Sequence, residues 1–181
     1  MQQPVVLLLA SGRGERFIAS GGQGSKLRAM LAGRPVLEHT LVAARASGLP
    51  WHVEGAGHPG MGDSIAAGVA ATRDAPGWLV LPADLPLVRP ATLQRIAAAL
   101  AAPHTVVVPT WQGERGHPVA FAASCRDALL ALTGPGGAAA VVRAQAARGG
   151  LLELPVDDAG IRTDIDTLDD LAAAERLLAA R

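Results

Sequence analysis

A few charged positions in this chain have the types and settings that phosphate chemistry asks for. Of its sixteen Lys and Arg residues, Lys26 is the only lysine. An ammonium is a compact, rotatable point charge suited to a phosphate that changes partners, whereas a guanidinium fork suits a fixed planar contact. Lys26 lies at the end of a glycine-rich stretch that follows the apolar run Val5-Val6-Leu7-Leu8-Leu9. Within that stretch, Ser11-Gly12-Arg13-Gly14-Glu15-Arg16 leaves backbone N–H groups free to form an anion-binding concavity, with Arg13 and Arg16 adding positive charge. Asp84 sits between Pro82 and Pro86 just past the apolar run Trp78 to Leu81. A carboxylate at the carboxyl end of a strand is placed to hold Mg²⁺, which keeps several waters and takes only one or two protein carboxylates besides substrate phosphates. Asp164 and Asp166 flank Ile165. In an extended backbone the two acids share a face, where they complete a metal site opposite Asp84; Asp166 also suits the dipole of a helix that follows it.

Two standard phosphate loops fit badly. A dinucleotide-binding fingerprint needs a third glycine where Phe17 stands, and it is far less basic than this loop, which disfavours a plain Rossmann dehydrogenase. A Walker loop needs Gly-Lys-Ser/Thr, and the order here is Ser25-Lys26-Leu27. The formal net charge is zero, aromatic residues make up 3%, and there is no tyrosine, so the basic field and stacking platforms of a nucleic-acid binder are missing. The single cysteine, Cys125, excludes an internal disulfide and reads as packing. The apolar runs are short of a membrane span, and no basic flank marks a leader, so a cytoplasmic protein is expected.

Elements must bring these residues together over sequence distances of more than a hundred positions. Short β-branched or leucine runs alternate with Ala/Leu helical patterns, the rhythm of an α/β fold with a mostly parallel sheet and helices on both faces. The length of 181 residues suits one domain spanning the whole chain. Strands are expected at Pro4 to Ala10, Trp51 to Ala56, Trp78 to Leu81, Thr105 to Val108, Val119 to Ala122 and Leu151 to Val156. Helices are expected at Pro35 to Ser47, from a cap at Asp63 or Ser64 to Arg73, Pro90 to Ala101, Ser124 to Leu132, Gly137 to Arg148 and Thr167 to Arg181. Thr167 is the expected N-cap of the last helix, with Asp169 and Asp170 in its first turn. Residues 11 to 25 read as loop.

The stretch Leu9-Ala10-Ser11-Gly12-Arg13-Gly14-Glu15-Arg16-Phe17, followed by Lys26-Leu27 and Gly33-Arg34-Pro35-Val36-Leu37, resembles the signature of the MobA/MocA-like nucleotidyltransferases. Further matches come in that family's order: Gly60 to Gly68, Gly113 to Pro118, and Asp164-Ile165-Asp166-Thr167 with Asp170-Leu171. There are two departures. Ile18 to Ser25 lengthens the segment before the lysine, and Leu168 stands where the family usually has proline.

The resemblance implies a Rossmann-like three-layer sandwich of the GT-A, nucleotide-diphospho-sugar transferase type. It implies an NTP held by Leu9, Ala10, Ser11, Gly12, Arg13, Gly14 and Lys26, with base and ribose near Gly62 and Ser64. Lys26, Arg16 and Asp84 become the catalytic set, Mg²⁺ or Mn²⁺ is held by Asp84, Asp164 and Asp166, and Arg115, Gly116 and His117 face the second substrate. The implied acceptor is a phosphorylated small molecule, commonly molybdopterin, and the Gly-Met-Gly-x-Ser lead into Ile65-Ala66-Ala67-Gly68 is closer to the CTP-using branch than to the GTP-using one. A molybdoenzyme or its chaperone is the implied protein partner, with neither nucleic acid nor membrane. Two other readings use the same residues: a sugar-phosphate or polyol-phosphate nucleotidyltransferase, and a non-catalytic nucleotide-binding accessory protein for a molybdenum hydroxylase, which the lengthened loop would suit.

Overall fold

A computed structural model of the chain describes residues 3–12 and 14–180. Apolar alternation builds its centre. The strands are β1 (Val5–Leu9), β2 (Met30–Leu31), β3 (Arg34–Pro35), β4 (Trp51–Glu54), β5 (Gly77–Pro82), β6 (Val106–Trp111), β7 (Glu114–Arg115), β8 (Val119–Ala122) and β9 (Leu151–Pro155). The α-helices are α1 (Glu15–Ala19), α2 (Val36–Ala46), α3 (Met61–Ala71), α4 (Pro90–Ala99), α5 (Arg126–Leu130), α6 (Ala139–Ala146) and α7 (Leu168–Ala179), joined by 3₁₀ turns at Lys26–Arg28, Ala123–Cys125 and Ala159–Arg162.

The main sheet runs β4-β1-β5-β8-β6-β7, with β9 also paired to β6. Pairing is parallel for β4–β1, β1–β5 and β6–β9, while β8 is antiparallel to both β5 and β6. The α/β class, mostly parallel sheet and three layers read from the sequence are all present. Val6 and Leu8 of β1, Leu79 and Leu81 of β5 and Val107 of β6 pack on one face, with Ala43 and Ala44 of α2 and Leu93 and Ile96 of α4. Their strand neighbours Leu7, Trp78, Val80, Val106 and Val108 pack on the other face, with Ile65 and Val69 of α3 and Val141 of α6. Successive strand residues point to opposite faces, so this division between two helical layers follows from the period of two.

A third apolar cluster joins Phe17, Leu27, Leu31, Val36, Ala83, Leu87, Ile165 and Ala174. It binds the segment around Lys26, the turn that carries Asp84 and the start of α7 into one unit.

Three expectations need correction. Residues 11–25 are not all loop, since α1 forms within them. α3 begins at Met61 after Gly60, and neither Asp63 nor Ser64 caps it: Asp63 Oδ2 accepts from the Gly134 N–H at 2.9 Å, and Ser64 Oγ donates back to the Gly60 carbonyl at 3.2 Å. Pro35 lies in the β2–β3 hairpin and immediately precedes α2 rather than opening it. Cys125 is 1% exposed, and burial raises its thiol pKa against hydrogen bonds from Ser124 and Ala122. Because the thiolate is the reactive form, the folded protein is expected to resist an aromatic disulfide reagent at pH 8 and to react fully in denaturant; fast reaction of the native protein would contradict this packing.

Candidate active site

The carboxyl ends of β1 and β5 open into a cleft of about 670 Å³, the edge at which open α/β sheets take their ligands. Backbone bonds set its geometry before any side chain does. The Ala83 N–H continues the β1–β5 ladder by donating to the Leu9 carbonyl at 3.0 Å, and the Ile165 N–H donates to the Asp84 carbonyl at 3.0 Å. This second bond lays the chain around 164–166 beside the turn at 83–85. Ile165 is fully buried while Asp164 and Asp166 both line the cleft, as strand-like alternation requires.

Lys26 meets these acids from the opposite wall. Its Nζ lies 2.6 Å from Asp84 Oδ2 and 2.7 Å from Asp166 Oδ1. Arg16 Nη1 lies 2.8 Å from the other oxygen, Asp166 Oδ2. Lys26 is only 8% exposed. Burial works against its ammonium, yet the charges of Asp84 and Asp166 and the hydrogen bonds to both hold its pKa above the ordinary lysine value. Asp84 Oδ1 is buried with no hydrogen-bond partner. Asp164 makes no ion pair among the described residues; burial raises its pKa, and the charges of Asp166, Asp84 and Asp170 add to that against a backbone N–H bond.

The lengthened segment before Lys26 is folded. Gly22 donates to the Phe17 carbonyl at 3.0 Å, and a Cβ at Gly22 would fall 2.3 Å from the Phe17 ring, so only glycine lets the chain double back there. Ser20 Oγ donates to the Phe17 carbonyl at 2.8 Å and accepts from the Leu168 N–H at 3.0 Å. Proline has no N–H. The leucine at 168 therefore makes a bond that a proline could not, and it ties the segment to the start of α7, two residues from Asp166. Ser25 closes the stretch by accepting from the Leu27 N–H at 3.3 Å, capping the turn that presents Lys26.

Of the residues singled out in the sequence, Leu9, Ser11, Gly12, Arg16, Lys26, Ser64, Asp84, Arg115, Gly116, His117, Asp164 and Asp166 all line the cleft. Ala10, Gly14 and Gly62 do not, and Arg13 lies outside the described residues. Gly62 faces the turn at 133–134: its N–H donates to the Gly134 carbonyl at 2.8 Å, and a Cβ would come within 2.8 Å of the Thr133 carbonyl oxygen. Arg115 reaches the cleft while its guanidinium is held by Glu153 at 2.5 Å. His117 is anchored through its N–H to the Ile161 carbonyl at 2.8 Å. Burial lowers the His117 pKa, with Asp84 and Asp164 opposing, and its Nδ1 is buried without a partner.

Sequence reasoning missed His58 and Arg162, and it gave no role of their own to Glu15 and Met61 within the motifs it singled out; all four line the cleft. His58 Nε2 pairs with Glu54 Oε1 at 3.0 Å, and Glu54 is itself fixed by the Ala56 N–H at 3.0 Å. The i,i+4 spacing of Glu54 and His58 is the available signal, but it runs from the last residue of β4 into a loop rather than along a helix and so reads as nothing from sequence alone.

Among the described residues, no three His, Cys, Asp or Glu side chains converge as a ready-made metal cage. The donor set nevertheless fits a hard divalent cation of the Mg²⁺ type: two carboxylates meet at one point, one of their oxygens is buried and unbonded, and the open cleft leaves room for water and phosphate ligands. Chemically, the arrangement can grip a polyphosphate between cationic side chains and a carboxylate-held ion. No helix of the described residues is long and apolar enough to cross a membrane.

Comparison with known proteins places these features. Residues 43–149, which include Asp84 and Arg115 to His117, match the model of the MobA-like NTP transferase domain. No curated protein sequence matches the chain. Among solved structures it is similar to Rv0371c from Mycobacterium tuberculosis H37Rv, at 25% identity over 97% of this chain and 98% of that one, with a TM-score of 0.79. Rv0371c has also been crystallised as a complex with manganese, and that structure is 24% identical over 96% of this chain and 98% of that one, with a TM-score of 0.74. The nucleotidyl transferase Mth528 from Methanothermobacter thermautotroptrophicus shares the fold at 21% identity over 99% of both chains, with a TM-score of 0.80. So does molybdopterin-guanine dinucleotide biosynthesis protein A from Archaeoglobus fulgidus, at 18% identity over 98% of this chain and 100% of that one, with a TM-score of 0.64.

Proposed function

The chain belongs to the MobA-like NTP transferase domain family, and from that premise we propose that residues 1–181 act as one cytoplasmic domain that transfers CMP from CTP to a phosphorylated small-molecule acceptor, molybdopterin. The observation that carries this reading is the ion cluster of Lys26, Arg16, Asp84 and Asp166 at the carboxyl edge of the sheet. Nucleotidyl transfer needs cationic groups along a triphosphate and a carboxylate-held cation beside it, and the cluster brings such cationic groups and the carboxylates that would hold the cation into one cleft.

Catalysis in this reading is positioning and charge neutralisation. Backbone N–H groups of Ser11 and Gly12 and the side chains of Lys26 and Arg16 bind the triphosphate. Ser64 and the Gly60–Met61 turn lie on the side of the cleft that takes base and ribose, and Arg115, Gly116 and His117 border the acceptor. An acceptor phosphate oxygen bonds to the α-phosphorus as the bond from that phosphorus to the bridging oxygen of the β-phosphate breaks, and pyrophosphate leaves. The acceptor phosphate is ionised at neutral pH, so no proton has to be removed by a protein base. His117, kept neutral by burial, adds no charge to the acceptor side. Asp84 with Asp166 and Asp164 would hold Mg²⁺ or Mn²⁺, which when bound supplies charge neutralisation at the phosphate oxygens. The CTP preference is supported by the Gly60 to Gly68 segment. A molybdoenzyme or its chaperone is the protein that would receive the product.

Pyrophosphate release measured with each NTP, with and without molybdopterin, tests this function. The expected result is release that requires both CTP and molybdopterin. Release with a sugar phosphate or polyol phosphate instead would reassign the acceptor, and nucleotide binding without release for any acceptor would point to an accessory protein.

A further inference from the structure

Lys26 Nζ lies between the two carboxylates that would hold a metal ion. It takes Asp84 Oδ2 and Asp166 Oδ1 together at 2.6 and 2.7 Å, while Arg16 takes Asp166 Oδ2 at 2.8 Å. Of the four carboxylate oxygens on these two residues, only Asp84 Oδ1 is left without a partner. The charges of these four side chains cancel, and Asp164 stands beside them in the cleft outside any ion pair among the described residues. A dication entering this neutral group would have to displace an ammonium that is 8% exposed and bonded on two sides. It would also leave that ammonium buried beside the new positive charge, which Coulomb repulsion over a few ångströms in a partly desolvated site opposes strongly.

We propose that Lys26 is a built-in cation that keeps the Asp84 and Asp166 carboxylates closed to metal until a triphosphate arrives and draws the ammonium away. A nucleoside triphosphate brings anionic oxygens that Lys26 and Arg16 can exchange for the carboxylates, and a lysine is suited to this exchange because its single charge turns on a flexible stem. Each aspartate then regains free oxygens just as the polyphosphate adds its own, so metal and nucleotide enter together and neither is held well alone. The base of Lys26 is fixed, so any exchange is left to its flexible stem. The Ser25 cap and the packing of Leu27 and Phe17 in the third apolar cluster fix the backbone, whereas the Arg16 side chain, paired with Asp166, is 79% exposed and has room to turn toward an incoming anion. The inference rests on the nucleotidyl-transfer reading for the identity of the incoming ligands, but its central claim concerns the resting protein and can be measured without turnover.

The experiment is Mn²⁺ binding to the full chain without nucleotide, followed by the electron paramagnetic resonance of the free ion, for wild type, Lys26→Met and Lys26→Gln. Removing the ammonium uncovers the acids, so either variant is expected to bind Mn²⁺ about tenfold tighter than wild type or more. Mn²⁺ is also expected to raise the melting temperature of the variants and to leave that of the wild type unmoved. Adding Asp84→Asn to Lys26→Met is expected to abolish the gain, which locates the ion on these carboxylates. If neither variant folds, a crystal of the wild type soaked in Mn²⁺ decides: the proposal requires Lys26 still on Asp84 with no manganese between Asp84 and Asp166, and an ion there overturns it. Equal Mn²⁺ affinity in wild type and both variants also overturns it. Nucleotidyl transfer by a wild type with that equal affinity sinks only this inference, whereas tight Mn²⁺ binding by the variants of a protein that never releases pyrophosphate sinks only the transfer reading.

Discussion

Asp84→Asn is expected to fold normally and to release pyrophosphate about a thousandfold more slowly than the wild type, on the scale that loss of one preorganised charge-stabilising group produces. The substitution keeps shape and removes charge. The backbone role of the residue survives, because the bond from the Ile165 N–H goes to the main-chain carbonyl at position 84, and Asn Oδ1 can still accept from Lys26. What is lost is the anionic oxygen pair, half of it buried and unbonded, that a divalent cation would require. Circular dichroism and a thermal melt establish the fold, and a coupled pyrophosphate assay gives the rate. Activity within tenfold of wild type would remove Asp84 from the site.

The largest expected loss of stability is at a residue outside the cleft. Asp158 is 1% exposed. One oxygen accepts from the Arg89 N–H at 2.9 Å and from Thr92 Oγ1 at 2.6 Å, closing the start of α4, and the other accepts from the Gly160 N–H at 2.9 Å, closing the turn at Ala159–Arg162. A single buried carboxylate thus caps two elements. Its replacement leaves their N–H groups without partners in an apolar setting, and hydrogen bonds to buried charge each matter by more than a neutral bond. Asp158→Ala is expected to cost about 3 kcal/mol, a fall in melting temperature of roughly 6–12 °C for a chain of this size. The same turn supplies the Ile161 carbonyl that holds the His117 N–H, so catalytic efficiency should fall as well. An unchanged melting temperature would show that the two caps are dispensable.

The contrast between Asp84 and Asp158 explains what the sequence can and cannot reveal. Asp84 announces itself locally, through an apolar strand before it and prolines on either side. Asp158 follows another aspartate in an unpatterned stretch; its bond to the Gly160 N–H is local, but the two partners at the start of α4 lie 66 and 69 residues away. The same rule separates the elements. Thr167 forms the N-cap of α7 with a full capping box to Asp170, because such a box is written within four consecutive residues. The β2–β3 hairpin and β7 are two-residue strands, too short for any period to register. The antiparallel insertion of β8 between β5 and β6 is invisible to a reading of alternation, since strand direction is set by the path of the chain and not by the polarity of its side chains. Likewise Gly60 to Gly68 was legible as a helix start, but the turn at 133–134 against which Gly62 is fitted was not. Lys26, Asp84 and Asp166 could each be picked from composition and placement; that one nitrogen would touch both acids could not.

The bond between the Leu168 N–H and Ser20 Oγ carries a historical consequence. The extra residues ahead of Lys26 and the absence of proline at 168 lie almost 150 positions apart, yet each is of little use without the other. Without the bond the strap would lose its tie to α7, although the Ser25 cap would still hold the turn at Lys26, and a free amide at 168 with no hydroxyl nearby would be an idle donor. In descendants of this lineage the two traits should travel as a pair, and transplanting only the strap into a proline-bearing cousin should yield a strap with no anchor on the last helix.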